Sequence, residues 1–287
     1  MKIQQIAKIK GGQDGAIYGS ELFRFDHKGN CAVYDLSELT DGETRELSPI
    51  AAFRLDRADL VAPHSNAVCF GCEFYEAGDD YPLLYSNVYN NCKNEEDPMI
   101  GVCFVYRIQR TEAGFQSTLV QLIEIVFFED PILWKASPDR HGVRPYGNFV
   151  IDRETRSYYA FVMRNEALGT RYFRFDLPSV RDGIMDVRFG VPKCVLGKAD
   201  IRDSFDCSYH RYIQGAILHA GKIYSTEGFH EDTVNRPAIR IIDLKQKQET
   251  HVDIMDMGFV NEPEFIDFYG DTCLYSDAYG NLYTVEV

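Results

Sequence analysis

The chain has 287 residues, 45% apolar and 13% aromatic, with a formal net charge of −14. This length bounds one or two domains around a large core, and this apolar content excludes a disordered chain. The charge repels phosphate backbones and anionic bilayers, so neither nucleic acid nor a membrane is expected as a partner, and no run approaches the roughly 20 apolar residues of a spanning helix.

Residues 4–9 alternate and read as a strand. The stretch before it has no long apolar region and no small-residue cleavage site, so no secretory leader is expected. With eight cysteines read as reduced thiols, a cytoplasmic location is the expectation. Gly11-Gly12-Gln13-Asp14-Gly15 breaks the strand; it lacks the Lys-Ser/Thr of a phosphate loop. Residues 16–18, 21–26 and 31–36 follow as strands, with a hairpin turn at His27-Lys28-Gly29-Asn30, and 50–55 closes a first unit after a turn at Asp41-Gly42. A second unit runs through 64–71, 81–86, 101–108 and 119–128, interrupted by a loop over 87–98 rich in Asn, Asp and Glu. Residues 129–144 read as an interblade segment with one short helix. A third unit covers 144–152, 157–163 and 171–177; Pro178 stops it, and 180–187 reads as a short helix or loop. The fourth covers 212–218, 221–228 and 238–244, the fifth 261–268, 272–277 and 281–285.

Tyr172-Phe173-Arg174-Phe175-Asp176 echoes Leu22-Phe23-Arg24-Phe25-Asp26, and the order of polar cluster, apolar strand and turn recurs along the chain. Such self-similarity predicts an all-β fold, a single five-bladed β-propeller over 1–287. The fifth unit lacks a fourth strand and a lone strand precedes the first, so the N-terminal strand is expected to complete the last blade and close the ring. A six-bladed ring is the competing arrangement, with extra strands within 129–144 or 186–210.

The whole chain resembles the five-bladed propellers of glycosidases, tachylectin-type lectins and calcium-dependent nucleotidases. The order His64-Ser65-Asn66 followed by Tyr81-Pro82-Leu83-Leu84-Tyr85 is similar to a family of uncharacterised bacterial propeller proteins. The resemblance implies the fold and no particular activity.

The starts of the inner strands hold Gln13-Asp14, His64-Ser65-Asn66, Arg144-Pro145-Tyr146, Tyr212-Ile213-Gln214 and Asn261-Glu262-Pro263-Glu264. In a propeller these meet at one mouth of the central channel, the expected place for a small-molecule site. Asp14, His64 and Glu262 are the acid–base candidates. Asn66, Arg144, Tyr146, His210, Gln214 and Glu264 are the ligand-contact candidates: Arg144 suits a carboxylate or phosphate, Tyr146 a sugar face, and His210, in the preceding segment, either reaches over the mouth or hydrogen-bonds between blades. Glu262 and Glu264 share a face if the strand alternation holds there. Two carboxylates flanking a glycosidic bond hydrolyse it, so a carbohydrate-like or anionic ligand with glycosidase-like hydrolysis is the functional expectation. Polar strand starts also line a wet channel and satisfy one another. The alternatives are a non-catalytic glycan- or metabolite-binding propeller and a protein-interaction platform. A divalent cation such as calcium is the one cofactor suggested, through Asp14, Glu262 and Asn66, although no Asp-x-Asp-x-Asp-Gly loop is present. Cys69 and Cys72 fall on opposite strand faces, which argues against joint zinc binding. His219, His230 and His251 read as surface or structural residues.

Overall fold

The computed structural model describes residues 1–39, 44–61, 63–88, 99, 101–126, 145–210, 212–230 and 232–286, the side chains of 145–147 excepted. The described strands, in chain order, are β1 (Lys2–Lys8), β2 (Gly15–Tyr18), β3 (Glu21–Phe25), β4 (Asn30–Asp35), β5 (Arg45–Glu46), β6 (Ala51–Arg54), β7 (His64–Phe70) and β8 (Leu84–Val88). They continue as β9 (Val102–Thr111), β10 (Gly114–Ile125), β11 (Pro145–Asp152), β12 (Ser157–Asn165), β13 (Gly169–Asp176), β14 (Ile184–Met185), β15 (Pro192–Leu196) and β16 (Asp203–Cys207). The last are β17 (Ile213–His219), β18 (Lys222–Glu227), β19 (Ala238–Asp243), β20 (Gln248–Asp253), β21 (Pro263–Tyr269), β22 (Thr272–Asp277) and β23 (Asn281–Glu286).

They form five sheets: β2-β3-β4-β6, β7-β8-β9-β10 extended by β15 and β14, β11-β12-β13-β16, β17-β18-β19-β20, and β21-β22-β23-β1 extended by β5. We number these blades 1 to 5. The first strand of each, β2, β7, β11, β17 and β21, packs against its counterparts in the neighbouring blades. The chain is a five-bladed β-propeller.

Ring closure follows the sequence expectation. β1 pairs antiparallel with β23 from Lys2↔Glu286 to Lys8↔Asn281, so blade 5 is built from both ends of the described chain. The seat is Gly280 (φ 82°), where a Cβ would stand 2.2 Å from the Ile9 carbonyl oxygen. The turn that delivers Gly280 is fixed by Asp277, which accepts from the amides of Tyr279 (3.0 Å) and Asn281 (2.9 Å). Asp26 does the same in blade 1 for the amides of Lys28 (2.8 Å) and Asn30 (3.0 Å). Asp-x-x-Gly-Asn therefore serves both hairpins, because a short acidic side chain satisfies turn amides while glycine takes the left-handed position.

The structure decides two open alternatives and corrects one expectation. The strands within 186–210 build no sixth blade: β15 adds parallel to β10, and β16 completes blade 3. Of the two readings of 180–187, the loop holds: these residues form no helix, and their only regular element is the two-residue β14. Asn87, expected to begin a loop, lies with Val88 inside β8, and the rest of that expected loop, 89–98, lies outside the described residues. The 129–144 segment and the Asp41-Gly42 turn lie outside the described residues. No described helix is long and apolar enough to cross a membrane.

Candidate functional site at the propeller axis

Four of the five inner strands carry a register irregularity at their first residues: between His64 and Val68, Pro145 and Phe149, Ile213 and Gly215, and Pro263 and Phe265. His64 (φ 63°), Ser65 (φ 53°) and Tyr212 (φ 53°) take the left-handed conformation there. Such breaks re-aim side chains that a regular ladder would send to the blade faces. The polar starts thus leave their own sheets and bond to the next blade.

The result is a closed ring of hydrogen bonds. Blade 1 meets blade 2 where the Val68 amide donates to Asp14 Oδ2 at 2.9 Å and the Asp14 amide donates to the Ser65 carbonyl at 3.2 Å. Asn87 Nδ2 donates to Asn148 Oδ1 (3.2 Å), joining blades 2 and 3, and also to Asn66 Oδ1 (2.7 Å). Asn148 Nδ2 donates to the Ile213 carbonyl (3.2 Å), joining 3 and 4. Gln214 Nε2 donates to Glu262 Oε1 (2.6 Å), joining 4 and 5. Gln13 Nε2 donates to Glu264 Oε1 (2.9 Å), joining 5 and 1. Each bond contributes on the order of 1 kcal/mol net, and a partner left alone in this setting costs more.

Asp14, fully buried, reaches across the axis: one oxygen is held by blade 2, and the other lies where a Cβ on Gly215 of blade 4 would come within 2.9 Å. Burial pushes its carboxyl well above the usual range, against the Val68 and Gly15 amides and the Arg24 charge, which pull it down. Glu264, also buried, is pushed well up, first by burial and then by Glu262. Glu262 is half-buried and raised by burial, with His230 opposing. Arg24 on β3 is buried beside them; its Nη2 donates to the Gly12 carbonyl (3.0 Å) and the Asp277 carbonyl (3.4 Å).

Not every polar atom of this cluster is partnered. Gln13 Oε1, Asp14 Oδ1, Glu264 Oε2, and Nε and Nη1 of Arg24 are buried without a hydrogen-bond partner. The Gly15 amide approaches the Asp14 carboxyl but lies outside hydrogen-bonding geometry. All five atoms belong to blades 1 and 5, and Asp14 Oδ1 faces blade 4 at Gly215. Above them stand half-buried Gln13, Asn261, Glu262 and Tyr212. Tyr212 packs on Phe229 with ring centroids 4.0 Å apart, and exposed His230 packs on Tyr279. A cavity of about 270 Å³ adjoins Asn261 and Asp277 within blade 5, lined also by Gln5, Phe259, Tyr275 and Tyr283, and it contains none of the ring residues. A larger one, about 690 Å³, lies at the far end of β21 around Phe268 and Tyr269 and contains none of the ring residues.

Of the residues picked from sequence, Asp14, Asn66, Gln214, Glu262 and Glu264 join the ring. His64 heads β7 in blade 2, half-buried, its amide donating to the His27 carbonyl at 3.2 Å. Arg144 and the Tyr146 side chain lie outside the described residues. His210 takes the interblade place, the second of its two expected roles: it is fully buried between blades 3 and 4 and does not reach over the mouth as a ligand contact. The Thr170 hydroxyl oxygen accepts from its amide (3.0 Å), Cys207 Sγ is 3.2 Å from Nε2, and Phe161 and Tyr172 pack on its ring. Glu227 Oε1 lies 3.4 Å from Nδ1, outside hydrogen-bonding geometry, and Arg240 holds that carboxylate in a buried ion pair. Cys207, His210 and Glu227 follow the order of a nucleophile, base and carboxylate. Burial keeps the thiol up at about 12 and the imidazole well down, so the pair is neutral and acts as a latch between blades.

Arg24, Asn87 and Asn148 were not anticipated, nor were Phe229, His230 and Tyr279 at the rim. The calcium candidates do not fit one ion. Asp14, Asn66 and Glu262 each have an oxygen bonded to a different partner, and no described group of three His, Cys, Asp or Glu side chains is placed to hold a metal.

No protein-family model and no curated protein matches the sequence. Among solved structures, the chain is similar to Myxococcus xanthus glutaminyl cyclase, with 9% identity over 99% of this chain and 98% of that one and a TM-score of 0.51. Kuenenia stuttgartiensis hydrazine synthase matches with 10% identity over 92% of this chain and 61% of that one, TM-score 0.43. Saccharomyces cerevisiae Sqt1 matches with 8% identity, covering 93% and 55%, TM-score 0.37. The first of these agrees with the propeller fold, and at such identities the likeness concerns the fold alone.

Proposed function

We propose that the axis mouth binds a polar small molecule between blades 1, 4 and 5, with Glu264 and Glu262 as an acid–base pair. The observation that carries this reading is the set of unpartnered buried atoms on Asp14, Arg24, Gln13 and Glu264 beneath a half-open rim. Buried polar groups are almost always paired, and unpaired ones concentrate where a ligand completes them. The two glutamates begin the same strand yet turn to different blades, Glu264 to Gln13 and Glu262 to Gln214. Enclosed Glu264 is suited to keep its proton, while Glu262 nearer solvent is suited to take one. A glycosidic linkage lying between them would be protonated by the first, and water would be activated by the second.

Thermal unfolding against sugars, sugar acids, nucleotides and divalent cations tests the binding step. A ligand at a hundred times its Kd adds about 2.7 kcal/mol. That gain is expected for a sugar-like compound and should vanish in Glu262→Ala. A gain that persists in Glu262→Ala rejects the site. A second reading, a protein-interaction platform, is favoured by one feature, the strongly exposed Ile184, Met185 and Val187 at β14. Silence across the panel together with partner capture lost in Val187→Asp would select it.

A further inference from the structure

We infer, resting on the reading of the axis mouth as a binding site, that its ligand is uncharged and polyhydroxylated, and that charged counterparts of the same shape are rejected. Three features support this.

The first is Arg24. A guanidinium grips a carboxylate or phosphate through one of two edges, Nε with Nη2 or Nη1 with Nη2. Both edges use Nη2, and here Nη2 is occupied by the Gly12 and Asp277 carbonyls. Nε and Nη1 remain, with no edge on which the two stand side by side, so each meets single acceptors and neither forks a carboxylate or phosphate. The buried cation is therefore present without its anion fork.

The second is the inventory of unpartnered atoms. Gln13 Oε1 only accepts, the two Arg24 nitrogens only donate, and Asp14 Oδ1 and Glu264 Oε2 belong to carboxyl groups. An anion offers acceptors alone. It leaves Gln13 Oε1 unmatched and meets the carboxyl groups of Asp14, Glu262 and Glu264. An ammonium offers donors alone, leaves Arg24 unmatched and adds charge of the same sign beside it. A hydroxyl donates and accepts at once. Neighbouring hydroxyls on one ring match the whole set.

The third is the rim. The Tyr212–Phe229 ring pair offers an apolar surface beside the polar floor, which suits the C–H face of a sugar ring. Entry passes Gln13 and Glu262, each tied to the ring by a side-chain bond, and turning Gln13 aside also frees Glu264 Oε1.

The test uses sets of pyranoses that differ only in charge: glucose, glucuronate and glucosamine, with the galactose and mannose series alongside. Thermal shift and calorimetry are run on the wild type, Glu262→Ala and Gly215→Ala. A neutral sugar is expected to stabilise the wild type, with its uronate and amino sugar binding at least tenfold more weakly, and both variants should lose the response. A uronate or amino sugar that binds as tightly as its neutral parent, with binding lost in Glu262→Ala, overturns the charge inference and leaves the site standing. No response from any sugar, or a response unchanged in both variants, overturns the site as well.

Discussion

Gly215→Ala measures how tightly the ring is drawn. A Cβ at this position would lie 2.9 Å from Asp14 Oδ1, 3.3 Å from Asp14 Cγ and 3.0 Å from the Glu264 carbonyl oxygen. Neither neighbour gives easily. The carbonyl belongs to the backbone of β21, and the Val68 amide holds the Asp14 carboxyl at 2.9 Å. Relief requires β17 to move from β21, an overpacking that costs about 1–3 kcal/mol. If Asp14 swings away instead, its hydrogen bond is lost, at about 1–3 kcal/mol for a buried group. By either route the expectation is about 1–3 kcal/mol, or on the order of 2–9 °C in Tm. Gly190→Ala is the control: φ is +69° and nothing lies within 4 Å, so only the left-handed backbone is penalised, at about 1–2 kcal/mol. Urea unfolding of both variants at equal m-value gives the comparison. If Gly215→Ala costs no more than Gly190→Ala, Asp14 does not cross the axis as described.

Two further outcomes follow from the buried charges. Arg240→Met removes the partner of Glu227, whose side chain is 4% exposed, like that of Arg240. A loss of about 3–5 kcal/mol is expected, with most of it recovered in the Glu227→Gln/Arg240→Met double variant; equal losses in single and double variants would refute a desolvated pair. Glu264 holds its proton to higher pH folded than unfolded, so its contribution favours folding below about pH 4.3 and is lost as pH rises through the raised folded value. Glu264→Gln lacks that slope and should gain on the wild type as pH rises above about 4.3. His210, held below its ordinary value, acts with the opposite sign, losing stability as pH falls below about 6.5, and it is common to both proteins. A pH-independent difference between them would mean that Glu264 is ionised in the fold.

The repeat of apolar runs between turn residues was enough to give the five blades and the closing strand, because blade cores need alternating Phe, Tyr, Ile and Leu. β16 and β20 were not legible. Asp203-Ser204-Phe205-Asp206-Cys207 and Gln248-Glu249-Thr250-His251-Val252-Asp253 are outer strands with mostly half-buried or exposed residues, and they carry little apolar signal. Asn87 reads as a loop residue by composition. It lies in a strand because its amide bonds to blade 3 at the ring, where an apolar side chain would take the donor from Asn66 Oδ1 and Asn148 Oδ1. Arg24 shows the limit most clearly. Phe23-Arg24-Phe25 and Phe173-Arg174-Phe175 are the same local pattern, yet Arg24 is buried and Arg174 half-buried. The difference comes from the carboxyl groups of blade 5 beside Arg24, more than 230 positions away in the chain. His210 sits two residues from Tyr212 at the mouth, but the aromatic pocket of blade 3 draws it back. The irregular starts of the inner strands depend on which blade lies next door, a property of the closed ring rather than of any one segment.

The most direct test of the axis site is to identify what the protein itself selects. Purified wild type and Glu262→Ala are each equilibrated with a small-molecule extract, separated from free compounds, denatured, and the released compounds identified by mass spectrometry. The account predicts an uncharged, hydroxyl-rich compound carried in stoichiometric amount by the wild type and absent from Glu262→Ala. Equal recovery from both proteins, or nothing recovered from the wild type, would contradict it.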